Sequence, residues 1–393
     1  MNALEMAEQI RDELFEIRRT IHQNAEVGEH LPKTKAFVMK KLTEYGYTPI
    51  ELCESGIVAV LQGGKSGKTL LLRADMDALP IEEKSGLEFA AQNGCMHACG
   101  HDMHTAILIG DAKLLKCCQG SLAGNIKFVF QPNEEGFGGA KALLAAGVLK
   151  APDVDAGLAL HVSSGVPSGL VLAGKNTFMA GCIFFKIRVR GTGCHGAMAH
   201  TGVDPINVAA HIFLSLQEII SREIDPTDVA SLTVGRFVGG EAANIIPEEV
   251  VMEGSIRARS EKDGEFIYSR VEEISKATAK AFRGQAQVEK TAAVPPLVNA
   301  AEQTEKMAQF AAEILPKEKV VCFENCGTGS EDFAFFSNQI PCTYLLIGAG
   351  TKGENALFGK PMHNEALVLS EDILPIGAAL FCHCAKRWLE TQN

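Results

Sequence analysis

The sequence predicts an α/β chain in which a smaller α+β unit interrupts a larger domain with a central, mostly parallel sheet. Three observations carry this expectation. Short apolar runs bounded by glycine, Ile57-Val58-Ala59-Val60-Leu61 and Thr69-Leu70-Leu71-Leu72, lie among stretches of helical period, as buried strands covered on both faces do. Near residue 180 the texture changes to strands with one wet face and two long helices. After Val294-Pro295-Pro296 the first texture returns. The expected boundaries are therefore 1–180 and 293–393 for the large domain and 181–292 for the insert, a division that suits a 393-residue chain.

Taken in order, Ile10, Leu14, Ile17 and Ile21 fall at helical spacing, which predicts one amphipathic helix over 3–22. Phe37, Val38, Leu42 and Tyr45 mark a second helix, ended by Gly46. The strand at 69–72 leads into Arg73-Ala74-Asp75-Met76-Asp77-Ala78-Leu79-Pro80. A further helix is expected after His104. Then come strands at 126–130, 157–160 and 170–173, the second delivering His161. In the insert, Ile183, Phe185, Ile187 and Val189 alternate with Phe184, Lys186, Arg188 and Arg190. Helices at 205–222 and 262–282, strands at 229–238 and 249–259, and a strand around 287–290 complete it, with both helices on one side of an antiparallel sheet. The returning large domain supplies a helix at 300–314, a strand at 343–347 closed by Gly348-Ala349-Gly350, and a helix at 371–388.

Composition narrows the function. Hydrophobic residues make up 46% and charged residues 22%, ordinary for a globular protein with a sizeable core. A net charge of −11 disfavours nucleic acid or an anionic membrane as partner. No apolar run approaches the length of a membrane span. Met1-Asn2-Ala3-Leu4-Glu5 lacks a signal-peptide pattern. The twelve cysteines, Cys117-Cys118 and Cys382-His383-Cys384 among them, have no framework spacing, so reduced thiols in a cytoplasmic protein are expected.

The chemistry gathers around Met96-His97-Ala98-Cys99-Gly100-His101-Asp102-Met103-His104, which packs three histidines, a cysteine and an aspartate into nine residues. These are ligand types for zinc and neighbouring divalent metals, although a hydrogen-bonded core turn would use them too. Asp102 is expected to cap the helix that follows. Asp75 and Asp77 lie just past a buried strand, where open α/β sheets place ligands, or in a capped turn. Glu134 and Glu135, in Gln131-Pro132-Asn133-Glu134-Glu135-Gly136, form an acidic pair at another strand end. Such a pair is either a solvated turn or a site with a positive partner. His161 ends a third strand, and His363 lies in Pro361-Met362-His363-Asn364. Gly136-Phe137-Gly138-Gly139 is neither a dinucleotide fingerprint nor a phosphate loop.

Those segments, with Gly193-Cys194-His195-Gly196-Ala197, Asn244-Ile245-Ile246-Pro247, Ser330-Glu331-Asp332-Phe333 and Met362-His363-Asn364, resemble the metallo-aminoacylase and carboxypeptidase family in its amidohydrolase branch, over nearly the full chain. The resemblance implies a hydrolase of N-acylated amino acids with two divalent ions per subunit, zinc or manganese, with cobalt or nickel also admitted. It places the ligands on Cys99, His101, Glu135, His161 and His363 and the general base on Glu134, with Asp77 and Asp102 fixing ligand histidines. It also implies that His195 stabilises the oxyanion in the partner subunit's site, that Asn244 adds a hydrogen bond, and that Arg257 clamps a substrate carboxylate. The insert would then serve as lid and as the interface of a homodimer. Read alone, His195 is a turn histidine and Arg257 an exposed strand arginine.

The sequence departs from that pattern at Cys194, where glycine is usual, at Ala199-His200, at His22-Gln23-Asn24-Ala25-Glu26 and at Val162-Ser163-Ser164. None of these removes a ligand or the base. The alternatives are a metallo-dipeptidase or carboxypeptidase, and a metal-bound but catalytically silent protein, against which the presence of Glu134 argues.

Overall fold

The computed structural model describes residues 2–324 and 327–392. The chain forms two compact units, one of Met1–Phe178, Val298–Asn325 and Asp332–Asn393, the other of Met179–Leu297 and Cys326–Glu331.

The larger unit is built on an eight-stranded sheet in the order Ile50–Cys53, Gly56–Gln62, Ala123–Gln131, Lys65–Asp75, Ala156–Ser163, Cys342–Gly348, Val171–Gly174, Val320–Phe323. The four central strands run parallel; Gly56–Gln62 and Val171–Gly174 join them antiparallel on either side, and the outermost strands pair antiparallel with the first and parallel with the second. Four parallel neighbours put their carboxyl ends on one edge, and that edge carries the site. The apolar runs are buried on both faces: Leu70, Leu71 and Leu72 are all fully covered. Even Lys127, on the polar phase of its strand, is buried. Its ammonium donates to the carbonyls of Val148, Lys150 and Pro152 at 2.9, 2.7 and 2.8 Å, which replaces lost water.

Two expectations are corrected here. The N-terminal helix is two helices, Ala3–Glu8 and Arg11–Gln23. Ile10, at the break, leaves helical geometry and packs against the core, so the apolar period survives a backbone interruption. The helix His101–Cys117 is capped not by Asp102 but by Gly100 in the left-handed conformation. Asp102 sits inside its first turn. Its Oδ2 accepts from Arg18 Nε and His22 Nδ1, both at 2.8 Å, and so it touches no histidine of the expected ligand set. His22 Nε2 faces Glu83 at 3.0 Å, so the ring spans two buried carboxylates. This buried cluster ties the N-terminal helix to the start of the central one.

The smaller unit has a four-stranded antiparallel sheet in the order Ala230–Gly239, Glu249–Ala258, Gly181–Arg190, Gln285–Val294. Helices Pro205–Glu218 and Glu261–Ala281 pack on one face through Val208, Ile212, Leu216, Ile267 and Val271, against Phe185, Ile187 and Val189. Asp204 caps the first helix ahead of Pro205, and Ser260 caps the second. Short strands Cys194–His195 and Ile245–Ile246 pair beside the sheet.

Asp102 supplies a stability test. Burial opposes its charge, but Arg18 and His22 outweigh burial and hold the carboxyl well below the usual range. A depressed folded-state value favours folding fully above the unfolded value near 3.9 and is lost as pH falls through the folded one. Asp102→Asn should therefore destabilise the chain at neutral pH by about 1–3 kcal/mol, since it removes the shorter of the two carboxylate contacts of buried Arg18 and leaves it Glu371 at 3.3 Å. Denaturant unfolding checks this, and the deficit relative to wild type should shrink toward strongly acid pH.

Candidate metal centre

The site lies along the edge where the parallel strands end. The strand Lys65–Asp75 delivers Asp75 and then Asp77, Ala123–Gln131 delivers the Glu134–Glu135 turn, and Ala156–Ser163 carries His161. The loop before the helix His101–Cys117 brings Cys99 and His101 to the same edge. Gly100 makes that loop possible: its φ is +78°, and a Cβ there would lie 2.4 Å from the Val162 side chain. His363 arrives from a distant loop, and its N–H donates to the Ala98 carbonyl at 2.8 Å.

All five expected ligands meet. The donor atoms of Cys99, His101 and His161 lie within 4.8 Å of one another, and so do those of Cys99, Glu135 and His363. Cys99 Sγ is thus common to both groups, 3.5 Å from His161 Nε2 and 3.4 Å from His363 Nε2. His363 Nε2 is 3.2 Å from Glu135 Oε1. Glu134, nearly buried, joins His101 and Glu135 in a third group, its Oε2 4.0 Å from His101 Nε2.

The groups behind these donors fix them. Asp77 uses both carboxylate oxygens on the acidic turn, accepting the N–H of Glu134 at 2.9 Å and of Glu135 at 3.2 Å. Its carbonyl accepts from His101 Nδ1 at 2.8 Å, which turns His101 Nε2 toward the other donors. His161 Nδ1 likewise donates to the Val162 carbonyl at 2.6 Å. Asp75 and His104, which the resemblance leaves out of the ligand set, form a buried pair at 2.5 Å. His104 Nε2 accepts the Val162 N–H at 2.9 Å, so both its nitrogens are engaged. Beneath them Arg73 bonds Asp75 at 2.7 Å, Gln131 at 3.0 Å and Asp332 at 2.9 Å. Sequence reasoning misses this arrangement, although Arg73, Gln131 and Asp332 all stand in the segments that carry the resemblance.

Comparison with known proteins decides the family. The profile of Peptidase family M20/M25/M40 matches residues 71–387. The chain belongs to Peptidase family M20/M25/M40. It is 35% identical to the N-acetyl-L-cysteine deacetylase of Bacillus subtilis (strain 168) over 388 residues, 98% of this chain and 90% of that protein. It is 36% identical to the IAA-amino acid hydrolase ILR1-like 4 of Arabidopsis thaliana over 384 residues, 96% of this chain and 86% of that protein. Among solved structures it is similar to the Bacillus subtilis YXEP protein, a dinuclear metal-binding peptidase of the M20 family. The TM-score is 0.83 at 28% identity, covering 98% of this chain and 99% of the other. This M20/M25/M40 chain is a metal-dependent hydrolase.

The donor set suits a divalent cation. His101 Nε2 is buried with no hydrogen-bond partner, although its Nδ1 is anchored. Burial pushes the Cys99 thiol up to about 12, so the sulfur becomes a thiolate ligand only by giving its proton up to a cation. Burial, with His104 next to it, holds His161 well below the usual histidine range, which keeps the ring neutral with a lone pair to offer. His101 is raised: burial opposes its charge, but the carboxylate of Asp75 and the bond to Asp77 outweigh it. A thiolate, imidazoles and carboxylate fit zinc and other borderline divalent ions.

In the smaller unit, His195 is exposed and paired with Ile245. The Ala197 N–H donates to its Nδ1 at 3.1 Å, so the neutral ring carries its proton on Nε2. Asn244 sits beside it, its carbonyl accepting the Gly196 N–H at 2.8 Å. Cys194 finds room because Gly202 faces it; a Cβ there would lie 2.6 Å from the sulfur. Arg257 Nη1 donates to Ser330 Oγ at 2.6 Å, and Ser330 donates to the Ala180 carbonyl at 2.8 Å.

Because Cys99 belongs to both donor groups, Cys99→Ala should lower total bound metal and not merely one equivalent's affinity. Metal analysis after dialysis checks it. In the wild type, loading should release protons and strengthen as pH rises, because the buried thiol must deprotonate; unchanged metal content in Cys99→Ala would remove Cys99 from the ligand set.

Proposed function

We propose that the chain hydrolyses the amide bond of N-acyl-L-amino acids, releasing a carboxylic acid and a free amino acid. The observation that carries this reading is the convergence of Cys99, His101, Glu135, His161 and His363 with a sixth side chain, the buried carboxylate of Glu134, beside them. Relatives named for deacetylating N-acetyl-L-cysteine and for hydrolysing IAA–amino acids support the substrate class.

In this reading the five residues hold two divalent ions, zinc or manganese. When bound, such ions polarise an amide carbonyl and make water acidic enough to attack near neutral pH. Glu134 takes the water's proton on its carboxylate and passes it to the departing amine nitrogen. The Asp77 clamp on both backbone N–H groups fixes the turn, so that Glu135 would hold a cation while Glu134 handles the proton. His195, protonated on Nε2, donates to the developing oxyanion, and the Asn244 amide adds a second donor. Arg257 spends one N–H on Ser330 and keeps others for the substrate carboxylate.

We infer a homodimer through the smaller unit, which also acts as a lid. The strand Ala230–Gly239 has one neighbour in its sheet, the strand Glu249–Ala258. Phe237 and Val238 on it, and Leu214 on the first helix, are 41%, 51% and 64% exposed. An open strand edge with apolar neighbours favours pairing with a second copy. A cytoplasmic location is proposed on the thiol-rich composition.

Glu134→Gln should keep its metal yet lose about 10²–10⁴-fold in turnover. Full turnover in that variant refutes the base assignment. Substrate class is read from a panel of acetyl, benzoyl and indole-acetyl amino acids, N-acetyl-diaminopimelate and simple dipeptides; preference for the dipeptides would favour a dipeptidase. His195→Ala should lower turnover with metal content intact. Mixing it with Glu134→Gln protein should restore activity if His195 serves the partner subunit, and no recovery would confine it to its own.

A further inference from the structure

The four-stranded sheet of the smaller unit carries helices on one face only, and its other face is shaped. Cross-strand partners lie on the same face of a sheet, so the register sorts the rows. Thr233, Ser255 and Phe184 form one row of the open face, and Arg236, Glu253 and Lys186 form the next. The row between them turns to the helices: Val234 and Phe185 join the apolar core, and Lys290 reaches Glu265 of the helix Glu261–Ala281 at 2.7 Å. Gly254, in that same row, has no side chain, and a Cβ there would lie 2.3 Å from the Thr233 carbonyl. Both outer strands carry a register shift at this level, at Gly235 and at Thr291. Such bulges add a residue and bend the strand. The result is a trench of about 590 Å³ floored by backbone, and every residue lining it belongs to the smaller unit.

The two walls differ in chemistry. Arg236 and Lys186 both pair with one oxygen, Glu253 Oε1, each at 3.1 Å. From there the charges alternate along the face. Lys186 is 4.0 Å from Glu289, Arg188 is 3.9 Å from Glu289 and 3.5 Å from Glu249, and Arg190 is 3.0 Å from Glu249. Four cations thus share three carboxylates, and the row ends on a cation at both ends, in a chain whose net charge is −11. Arg236 is the end that borders the trench. It meets Glu253 through Nη1 and its side chain is 54% exposed, so the rest of its fork is open to a ligand. The opposite wall offers the Phe184 ring and the hydroxyls of Thr233 and Ser255.

We propose that this trench binds a small carboxylate with an aromatic body. The Arg236 fork takes the planar carboxylate, with Lys186 as a second positive charge beside it. The strands that carry Phe184 and Arg236 lie two strand spacings apart, roughly 10 Å. A ligand of that length rests its ring on Phe184 while its carboxylate meets Arg236. Thr233 and Ser255 donate to a polar group between the two ends. Glu253 competes with the ligand for both cations, which keeps the site open to exchange. Edge pairing of Ala230–Gly239 with a second copy would extend this face without covering it.

The test uses the full-length, metal-loaded wild type and 4-benzoylbenzoate, an aromatic carboxylate that inserts into nearby C–H bonds on illumination. Peptide mapping should find the label on Gly181–Arg190, Ala230–Gly239 or Glu249–Ala258, suppressed by excess 4-phenylbutyrate, which has no amide to hydrolyse. In calorimetric titration with 4-phenylbutyrate, Arg236→Ala should weaken binding about 10–100-fold. Glu253→Gln, which frees both cations, should strengthen it. Label confined to other segments, the donor cluster at 97–104 or 131–136 included, overturns the proposal, as does label that 4-phenylbutyrate fails to suppress. An Arg236→Ala protein that binds as tightly as wild type overturns it too. The mapping needs no variant, so its outcome holds whether or not the variants fold. The readout is binding, so it stands apart from the hydrolysis proposed at the metal centre.

Discussion

One buried guanidinium organises the edge of the larger unit on which the donor groups converge. Arg73 reaches Asp75, on its own strand end, Gln131, on the neighbouring strand end, and Asp332, from the last third of the chain. Asp332 also accepts from Gln131 Nε2 at 2.6 Å and from the Ala140 N–H at 3.0 Å. Removing such charges from water costs several kcal/mol per ion, and their attraction offsets that only when geometry and hydrogen bonding are nearly complete. Here they are, and the return is a single arrangement of three segments distant in sequence. Strand ends that would otherwise fray toward solvent are held at fixed heights.

On that base each donor is aimed by a second bond. Asp75 orients His104, His104 holds the Val162 N–H, and Val162 follows His161. Asp77 serves both the His101 ring and the acidic turn. The residues proposed to bind the cation therefore owe their direction to residues that are not. This is the usual condition for a site whose geometry survives the exchange of ligands or substrate.

The fold class and the five converging donors were legible because their signals are local. Continuous apolar runs report strands covered twice, and Cys-Gly-His or Glu-Glu after such a run reports a rim. The break at Ile10 was not legible, since the apolar spacing continues through it. Nor was the role of Asp102: a short acidic residue ahead of an apolar run reads as a cap, and only the fold reveals that Arg18 and His22 are waiting for it. The burial of Lys127 was not legible either, because nothing in its neighbourhood announces three carbonyls from the 148–152 turn. Partnerships between residues far apart in sequence, Arg73 with Asp332 above all, carry no periodic signature.

Gly100 has a consequence for how this protein can vary. Its missing Cβ is occupied space: Val162 and Leu369 fill it, and Val162 adjoins His161 of the donor cluster. Its backbone conformation is one that side chains rarely adopt. Any side chain at this position meets both obstacles at once, and trimming Val162 would remove only one. Neutral drift should therefore leave the glycine untouched while Val162 wanders among residues no larger than valine, so that across diverging copies the pair records a one-sided constraint and not a two-way exchange.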